Sequence, residues 1–229
     1  MRRVLLVVVV VAAAVLAAGV DSAGATSECR GFVTCVPVAG PWVVVPVSHR
    51  TPRPEVQYQL TCPKGFVVGG VDAELSDRAI DVWFLGASGS PVAPGRTTSR
   101  TIVFVATYVG GGATPPTFRP HAGCIPSQGG GRRTPTAVTT VVPPGKPTVR
   151  RVRTVRILAP STVSVRCRRD EHLVAAYSAR GFRTTKPPSA QLIAGFSARS
   201  RLTAAGITVD ASGGNAAVVQ VAAVCAGGR

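Results

Sequence analysis

The chain has 229 residues, with 26 lysines and arginines against 10 aspartates and glutamates and a formal net charge of +16. A field this positive attracts polyanions, although an arginine-, alanine- and valine-rich composition is also typical of a high-GC genome. The three histidines are far apart and no C-x-x-C pair is present, so the composition argues against a zinc site and predicts no cofactor.

The first residues have the three parts of an export signal. Arg2 and Arg3 precede an unbroken apolar run from Val4 to Val20, and Ala23-Gly24-Ala25 supplies the small residues that signal peptidase requires. We therefore predict that residues 1–25 are a signal peptide and that the mature protein is secreted, either free or associated with the cell envelope. The alternative is an uncleaved N-terminal anchor, although this run is shorter than the ~20 residues that span a bilayer. No later stretch is long and apolar enough to cross a membrane.

Residues 26–40 form a cysteine-looped N-terminal segment, and residues 41–125 are predicted to form a first β unit. The clearest strand of this unit is Val56–Cys62, where apolar and polar residues alternate with a period of two. Stretches rich in glycine, proline and serine separate it from other predicted strands at Pro41–Val47, Phe66–Leu75, Ile80–Leu85 and Thr101–Val109.

The composition changes at residues 126–148, where glycine and proline clusters predict a linker or a long surface loop. A second β unit follows at 149–229. Its predicted strands are Thr154–Pro160, Val163–Cys167, Leu173–Ala179, Leu192–Ser197, Gly206–Asp210 and Val218–Cys225. No segment of the mature chain has a convincing helical period. The sequence therefore predicts an all-β protein of two tandem small units, each of the sandwich or barrel kind.

A repeated pattern relates the two units. In each, the alternating strand ends on a cysteine, and a second cysteine follows about sixty residues later. Six cysteines in an exported chain indicate three disulfides, but they allow 15 pairings that the sequence alone does not resolve. If the units are copies of each other, each is closed by its own bond. The repeat then predicts the pairs Cys29–Cys35, Cys62–Cys124 and Cys167–Cys225.

Aromatic residues are sparse, so valine must supply much of both cores. In the first unit we expect the core to contain Trp42, Tyr58, Phe66, Trp83, Phe84 and Phe104. In the second unit the aromatic residues are Tyr177, Phe182 and Phe196.

In the first unit a Cys62-Pro63-Lys64-Gly65 turn leads into the strand Val67-Val68-Gly69-Gly70-Val71, and Ala122-Gly123-Cys124 closes the unit. These positions resemble a module of exported actinobacterial proteins, and the resemblance covers each mature unit. The second unit has Arg168-Arg169-Asp170 where the Pro-x-Gly turn would be. Proteins of this kind mostly have no known activity, so the resemblance implies a secreted β fold and no catalytic residues.

The arginines of the second unit are the strongest candidates for a binding surface. Residues 26–131 carry 8 basic and 6 acidic groups, whereas residues 132–229 carry 16 and 3. Arginine's planar fork suits phosphate and carboxylate groups. The candidate anion-binding residues are Arg150, Arg151, Arg153, Arg156, Arg166, Arg168 and Arg169. In a strand, Arg151 and Arg153 would project to one face and Arg150 and Arg156 to the other. The alternative is an ordinary solvated surface.

An anionic polymer, a polysaccharide of the cell wall or a lipid surface would satisfy such arginines. Sequence-specific nucleic-acid binding is disfavoured by export and because no aromatic residues are interleaved with the basic run.

The densest group of carboxylates in the chain is Asp72, Glu74, Asp77 and Asp81. Asp72 and Glu74 would share one face of a strand, and paired carboxylates can bind Ca²⁺ or act as acid and base. These residues lack the spacing of a calcium-binding loop. We therefore interpret them as the polar face of a strand and its turn.

The triplet Asp170-Glu171-His172 places carboxylates beside a histidine, but neighbours on a strand point to opposite faces. His49 and His121 have no adjoining acid or cysteine, and the chain has neither a G-x-S-x-G nor an H-E-x-x-H motif. The sequence therefore assigns no catalytic residue and no metal ligand.

These observations favour a secreted, non-enzymatic β protein that binds anionic polymers of the cell envelope through its basic second unit. One alternative is an extracellular hydrolase with a site between the units. Another is an interaction module, such as an inhibitor or an adhesin. The sequence does not specify the ligand or the oligomeric state.

Overall fold

The computed structural model describes residues 26–86, 100–127 and 148–227. The predicted signal peptide and nearly all of the predicted linker at 126–148 lie outside these ranges. The first half contains the strands β1 (Val36–Ala39), β2 (Trp42–Val44), β3 (Glu55–Thr61), β4 (Phe66–Leu75), β5 (Ile80–Gly86), β6 (Thr101–Tyr108) and β7 (Thr117–Pro126).

The second half contains β8 (Val149–Arg156), β9 (Ser161–Arg166), β10 (Glu171–Phe182), β11 (Ser197–Thr203), β12 (Gly206–Ser212) and β13 (Ala217–Gly227), with helix α1 (Ala190–Ala194) before β11. The protein is therefore almost entirely β, as the sequence predicts. The described residues contain no helix that is long and apolar enough to cross a membrane.

One seven-stranded sheet passes through both halves. Strand β7 pairs with β4 on one edge and with β1 and then β2 along the other. Strand β2 also pairs with β10, through Val43 opposite Gly181 and Trp42 opposite Phe182. Beyond β10 the sheet continues through β13 to β8. The two units of the sequence are thus connected by a continuous hydrogen-bonded sheet.

Each half adds a small three-stranded sheet, β3-β6-β5 in the first and β9-β12-β11 in the second. The strand pairings of the two halves correspond, since β4–β7 matches β10–β13 and the small sheets have the same chain order. Both long pairs also carry a bulge at the same place. The register shifts between Val68 and Gly70 in β4, and between Leu173 and Ala175 in β10, directly beside the paired disulfide cysteine.

The three disulfides join the pairs that the repeated pattern predicts: Cys29–Cys35, Cys62–Cys124 and Cys167–Cys225. The two long-range bonds have equivalent positions, because each ties the end of β3 or β9 to β7 or β13. They therefore link the small sheet of each half to the large sheet across its core.

The cores contain most of the expected aromatic residues. Tyr58 and Phe104 lie in the first core, and Phe182 and Phe196 pack edge to face in the second with their ring centroids 5.7 Å apart. The expectation for Trp83 is wrong, because 40% of its surface is exposed on β5. The remaining core is largely valine and alanine, as the composition requires.

The predicted strand at Leu192–Ser197 is also wrong. Ala190–Ala194 forms a single-turn helix, and β11 begins only at Ser197. Ser189 starts the helix, since its side chain accepts a hydrogen bond from the main-chain N–H of Leu192. A short apolar run does not distinguish a strand from a buried helical turn, which explains the error.

Candidate anion-binding surface

The basic run of the second half lies on β8, which forms an edge of the large sheet. Strand β8 pairs with β13 in a regular antiparallel register from Val149 to Arg156. Its arginines alternate between the two faces, as the sequence predicts. Their environments nevertheless differ enough that the run does not act as one surface.

Arg150 is directed into the interface between the two halves. Its Nη1 donates to Oε1 of Gln57 on β3 at 2.7 Å, and Gln57 in turn donates to Glu55 at 2.9 Å. The guanidinium carbon lies 5.1 Å from the ring centroid of Tyr177. Burial lowers the pKa of Arg150, against the opposing interactions with Tyr177 and Glu55. This residue is therefore a structural contact between the halves.

Arg151 is occupied by an ion pair on the other face. Its Nη2 and Nε approach the two carboxylate oxygens of Glu171 at 2.5 and 3.2 Å, in the two-point geometry that arginine favours. The main-chain N–H of Arg168 also donates to Glu171, at 2.8 Å. The hydrogen bonds from Arg151 and Arg168 lower the pKa of Glu171. Arg151 thus fixes the turn after β9.

Five arginines of the predicted set remain exposed, and none of them takes part in an ion pair among the residues that the structure describes. Among these five, Arg156 donates a hydrogen bond from its Nη2 to the main-chain carbonyl of Asn215 at 3.3 Å. We call this set the exposed arginines: Arg153, Arg156, Arg166, Arg168 and Arg169. They lie on β8, at the end of β9 and in the following turn, which are consecutive in the chain.

The first half contains a buried histidine between two carboxylates. His121 on β7 is 6% exposed, with Nδ1 3.8 Å from Oε1 of Glu28 and Nε2 3.5 Å from Oε1 of Glu74. Oε2 of Glu28 and Nε2 of His121 are buried without a hydrogen-bond partner among the described residues. This acid–histidine cluster lies beneath the N-terminal segment, which restricts access to it.

Asp72 belongs to the same cluster. Partial burial would raise the pKa of Asp72, but hydrogen bonds from Ser27 and from the main-chain N–H of Ala73, together with the charge of His121, lower it overall. The main-chain N–H of Ser27 donates to Asp72 at 2.5 Å. Asp72 therefore attaches the N-terminal segment to β4.

The other two carboxylates of the predicted acidic group lie elsewhere. Asp77 organises the turn before β5, where it accepts from the main-chain N–H of Ala79 at 2.8 Å and from the Tyr108 hydroxyl at 3.1 Å. Asp81 is exposed on β5. The four carboxylates are thus not one site, and the expected strand face consists of Asp72 and Glu74 alone.

The histidines of the described residues lie on separate elements. His49 is exposed in the segment after β2, His172 is exposed at the start of β10, and His121 is buried in β7. In the triplet Asp170-Glu171-His172, Glu171 faces Arg151 while His172 points into solvent. Cys167, Glu171 and Cys225 have potential ligand atoms within 4.8 Å of one another, but the disulfide occupies both sulfurs.

The role of Glu28 is not evident from the sequence, because it lies 93 residues from His121 along the chain. The sequence feature that could have indicated this contact is a pair of glycines, Gly70 and Gly123. A Cβ atom on Gly70 or on Gly123 would overlap the carbonyl oxygen of Glu28. Two facing glycines on adjacent strands indicate that another segment approaches the sheet closely at that point.

The fold and these contacts define a disulfide-bonded all-β protein that exposes arginines on β8, at the end of β9 and in the following turn. Three disulfides are typical of an extracellular or otherwise oxidising environment. No protein-family model matches the chain, and no curated protein or solved structure shows significant similarity to it.

Proposed function

We propose that this is a secreted, non-enzymatic protein of two duplicated β units that binds anionic polymers of the cell envelope through the exposed arginines. Export is supported by the signal-like sequence at residues 1–25 and by the disulfides. Duplication is supported by the matching strand pairings and by the bulge that occurs at the same position beside each long-range disulfide.

The observation that carries the proposal is the separation of the arginines into two groups. Arg150 and Arg151 are already used by Gln57 and Glu171, whereas the five exposed arginines make no ion pair in the described part of the chain. Guanidinium groups that are exposed and not paired with a carboxylate, as on β8, at the end of β9 and in the following turn, attract phosphate and carboxylate groups. Such a surface suits a repeating polymer better than an enclosed small molecule.

The test is binding of the mature chain, residues 26–229, to isolated cell walls and to immobilised polyphosphate, with release by a salt gradient. Exposed charge contacts are screened by salt, so the protein should elute at moderate ionic strength. Replacing Arg166 and Arg169 with glutamine should lower the salt concentration at which it elutes.

The matched control is Arg50→Gln with Arg78→Gln, which removes two exposed charges from the first half. If retention depends only on net charge, both double variants should elute early by the same amount. That result would refute the proposed surface, as would retention at high salt in every variant.

A further inference from the structure

A groove lies at the junction of the two halves, where β2 pairs with both β7 and β10. It has a volume of about 280 Å³ and is lined by Ala39, Gly40, Arg119, Arg183, Thr184 and Thr185. This volume lies just below the range of about 300–1,000 Å³ that is typical of small-ligand sites. The lining comes from both halves, since Arg119 belongs to β7 and Arg183 directly follows β10.

The first cationic group of the groove is held in place. Nε of Arg119 donates to the carbonyl oxygen of Gly40 at 3.3 Å, and Nη1 lies 3.8 Å from Oε2 of Glu74. Gly40 is itself fixed, because its N–H donates to Pro120 at 2.8 Å and a Cβ there would collide with the Pro120 ring. The Arg119 guanidinium is therefore oriented by contacts that leave its Nη2 without a partner among the described residues.

The second cationic group reaches the junction from the other half. The main-chain N–H of Arg183 donates to Ala216 at 2.8 Å, which anchors the residue to the second half. Its positive charge is nevertheless felt by Tyr58 in the first half, where it opposes the rise in the pKa of Tyr58 to about 12 that burial produces. Arg183 lines the groove together with Ala39, Gly40 and Arg119 of the first half, and its side chain remains exposed.

The remaining lining adds hydrogen-bond donors. The hydroxyl of Thr184 donates to the main-chain carbonyl of Lys186 at 2.7 Å, a local contact within the segment that follows β10. The hydroxyl of Thr185 has no partner among the described residues. Only Ala39 contributes an apolar side chain. Two guanidinium groups and the Thr185 hydroxyl, partly offset by Glu74, form a donor set that suits a tetrahedral oxyanion.

We propose that this groove binds a phosphate group, specifically one phosphate of a phosphodiester polymer. This inference deepens the proposed function and rests on it, since the exposed arginines would hold the polymer while the groove holds one of its groups in a defined position. The groove is open to solvent, so a phosphate group of a longer chain can enter it.

The experiment is calorimetric titration of the mature chain, residues 26–229, with inorganic phosphate and separately with a glycerol phosphate oligomer, in dilute chloride buffer. Wild-type protein should bind both, and the oligomer should bind more tightly. Arg183→Gln should weaken phosphate binding by roughly tenfold. Thr185→Val should weaken it less. The control Arg199→Gln removes an exposed charge from β11, away from the groove, and should change the affinity by less than about twofold.

Arg183→Gln is a surface change at an exposed position, so the variant should fold normally. The proposal that the groove binds phosphate would be overturned if the wild type bound no phosphate, or if Arg183→Gln and Arg199→Gln weakened binding equally. Binding of inorganic phosphate without tighter binding of the oligomer would overturn the assignment to a polymer.

The result of this titration can be distinguished from the result of the retention experiment that tests the proposed function. The Arg166→Gln and Arg169→Gln double variant should keep its phosphate affinity in the groove even if its retention on polyphosphate falls. Absence of phosphate binding by the wild type, together with its normal retention on cell walls, would overturn the groove and leave the exposed arginines as the binding surface.

Discussion

The side chain of Gln220 forms two hydrogen bonds to the main chain of Gln59, a residue 161 positions earlier. Its Oε1 accepts from the Gln59 N–H at 2.6 Å, and its Nε2 donates to the Gln59 carbonyl at 3.0 Å. The amide of Gln220 therefore acts as a short piece of strand against the open edge of β3. It is 3% exposed and joins the two halves in addition to the pairing of β2 with β10.

Replacing Gln220 with alanine should destabilise the protein by about 2 kcal/mol or more. The change leaves the part-buried N–H and carbonyl of Gln59 without these partners, and unsatisfied groups removed from water cost about 1–3 kcal/mol each. Guanidinium denaturation of the oxidised protein measures the effect. The control Gln191→Ala removes an exposed glutamine from α1 and should change little. Equal destabilisation by the two changes would contradict the role of Gln220.

Arg150 and Arg153 should respond in opposite ways. Arg150→Met leaves Oε1 of the buried Gln57 without its donor, so stability should fall by about 1–3 kcal/mol, less whatever is recovered by removing the unpartnered Nε and Nη2 of Arg150. Its retention on polyphosphate should stay at the wild-type value. Arg153→Gln should leave stability unchanged and reduce retention. A loss of retention in Arg150→Met would show that the interface arginine contacts the polymer.

Gly123→Ala should loosen the N-terminal segment. The added Cβ would overlap the Glu28 carbonyl, and overpacking of this kind typically costs about 1–3 kcal/mol. We expect Cys29–Cys35 to be reduced faster by dithiothreitol in this variant, as followed by alkylation and mass spectrometry. Gly111→Ala is the control, because a Cβ there meets nothing within 4 Å. Unchanged reduction in Gly123→Ala would mean that the segment does not pack on β4 and β7.

Stability should fall in acid, in part through Glu171. Its pKa is lower in the folded protein than the ordinary value of 4.5, mainly because of the hydrogen bonds from Arg151 and Arg168. A carboxyl with a depressed folded-state pKa stabilises the protein above its unfolded pKa, and this contribution is lost as the pH falls through the folded value. Glu171→Gln should therefore be less stable at neutral pH and should lose less stability below about pH 4.5.

Thermal unfolding from about pH 7 down to about pH 2.5 measures this dependence. Asp81→Asn, at an exposed carboxylate on β5, is the control and should follow the wild type. Parallel curves for Glu171→Gln and the wild type would contradict the ion pair with Arg151.

Local sequence patterns predicted the strands well where apolar and polar residues alternate, because the alternation distinguishes the two faces of a strand. Val56–Cys62 alternates cleanly, and its apolar side enters the first core while Gln57 and Gln59 meet the second half. The cysteine repeat located the covalent frame for the same reason, since it is a pattern in the chain itself. The predictions for Trp83 and for Leu192–Ser197 were wrong because burial and helix formation at these positions depend on neighbouring elements.

The site was predictable only in part. Arginine density identified the basic edge, but composition cannot show that Arg150 faces Gln57 or that Arg151 faces Glu171. Those distinctions depend on which strand lies opposite, and the partners are 93 and 20 residues away. The groove could not be predicted from the sequence, because Arg119 and Arg183 come together only through the pairing of β2 with two other strands.

The most direct test of the central claim is the salt dependence of polyphosphate binding. The slope of log K against log salt should be smaller for Arg166→Gln with Arg169→Gln than for the wild type. The expected decrease is roughly 0.7 to 0.9 for each phosphate that the substituted arginines no longer neutralise, as for other phosphate polymers. The slope for Arg50→Gln with Arg78→Gln should match the wild type. Equal slopes for the two double variants would contradict binding through the exposed arginines of the second half.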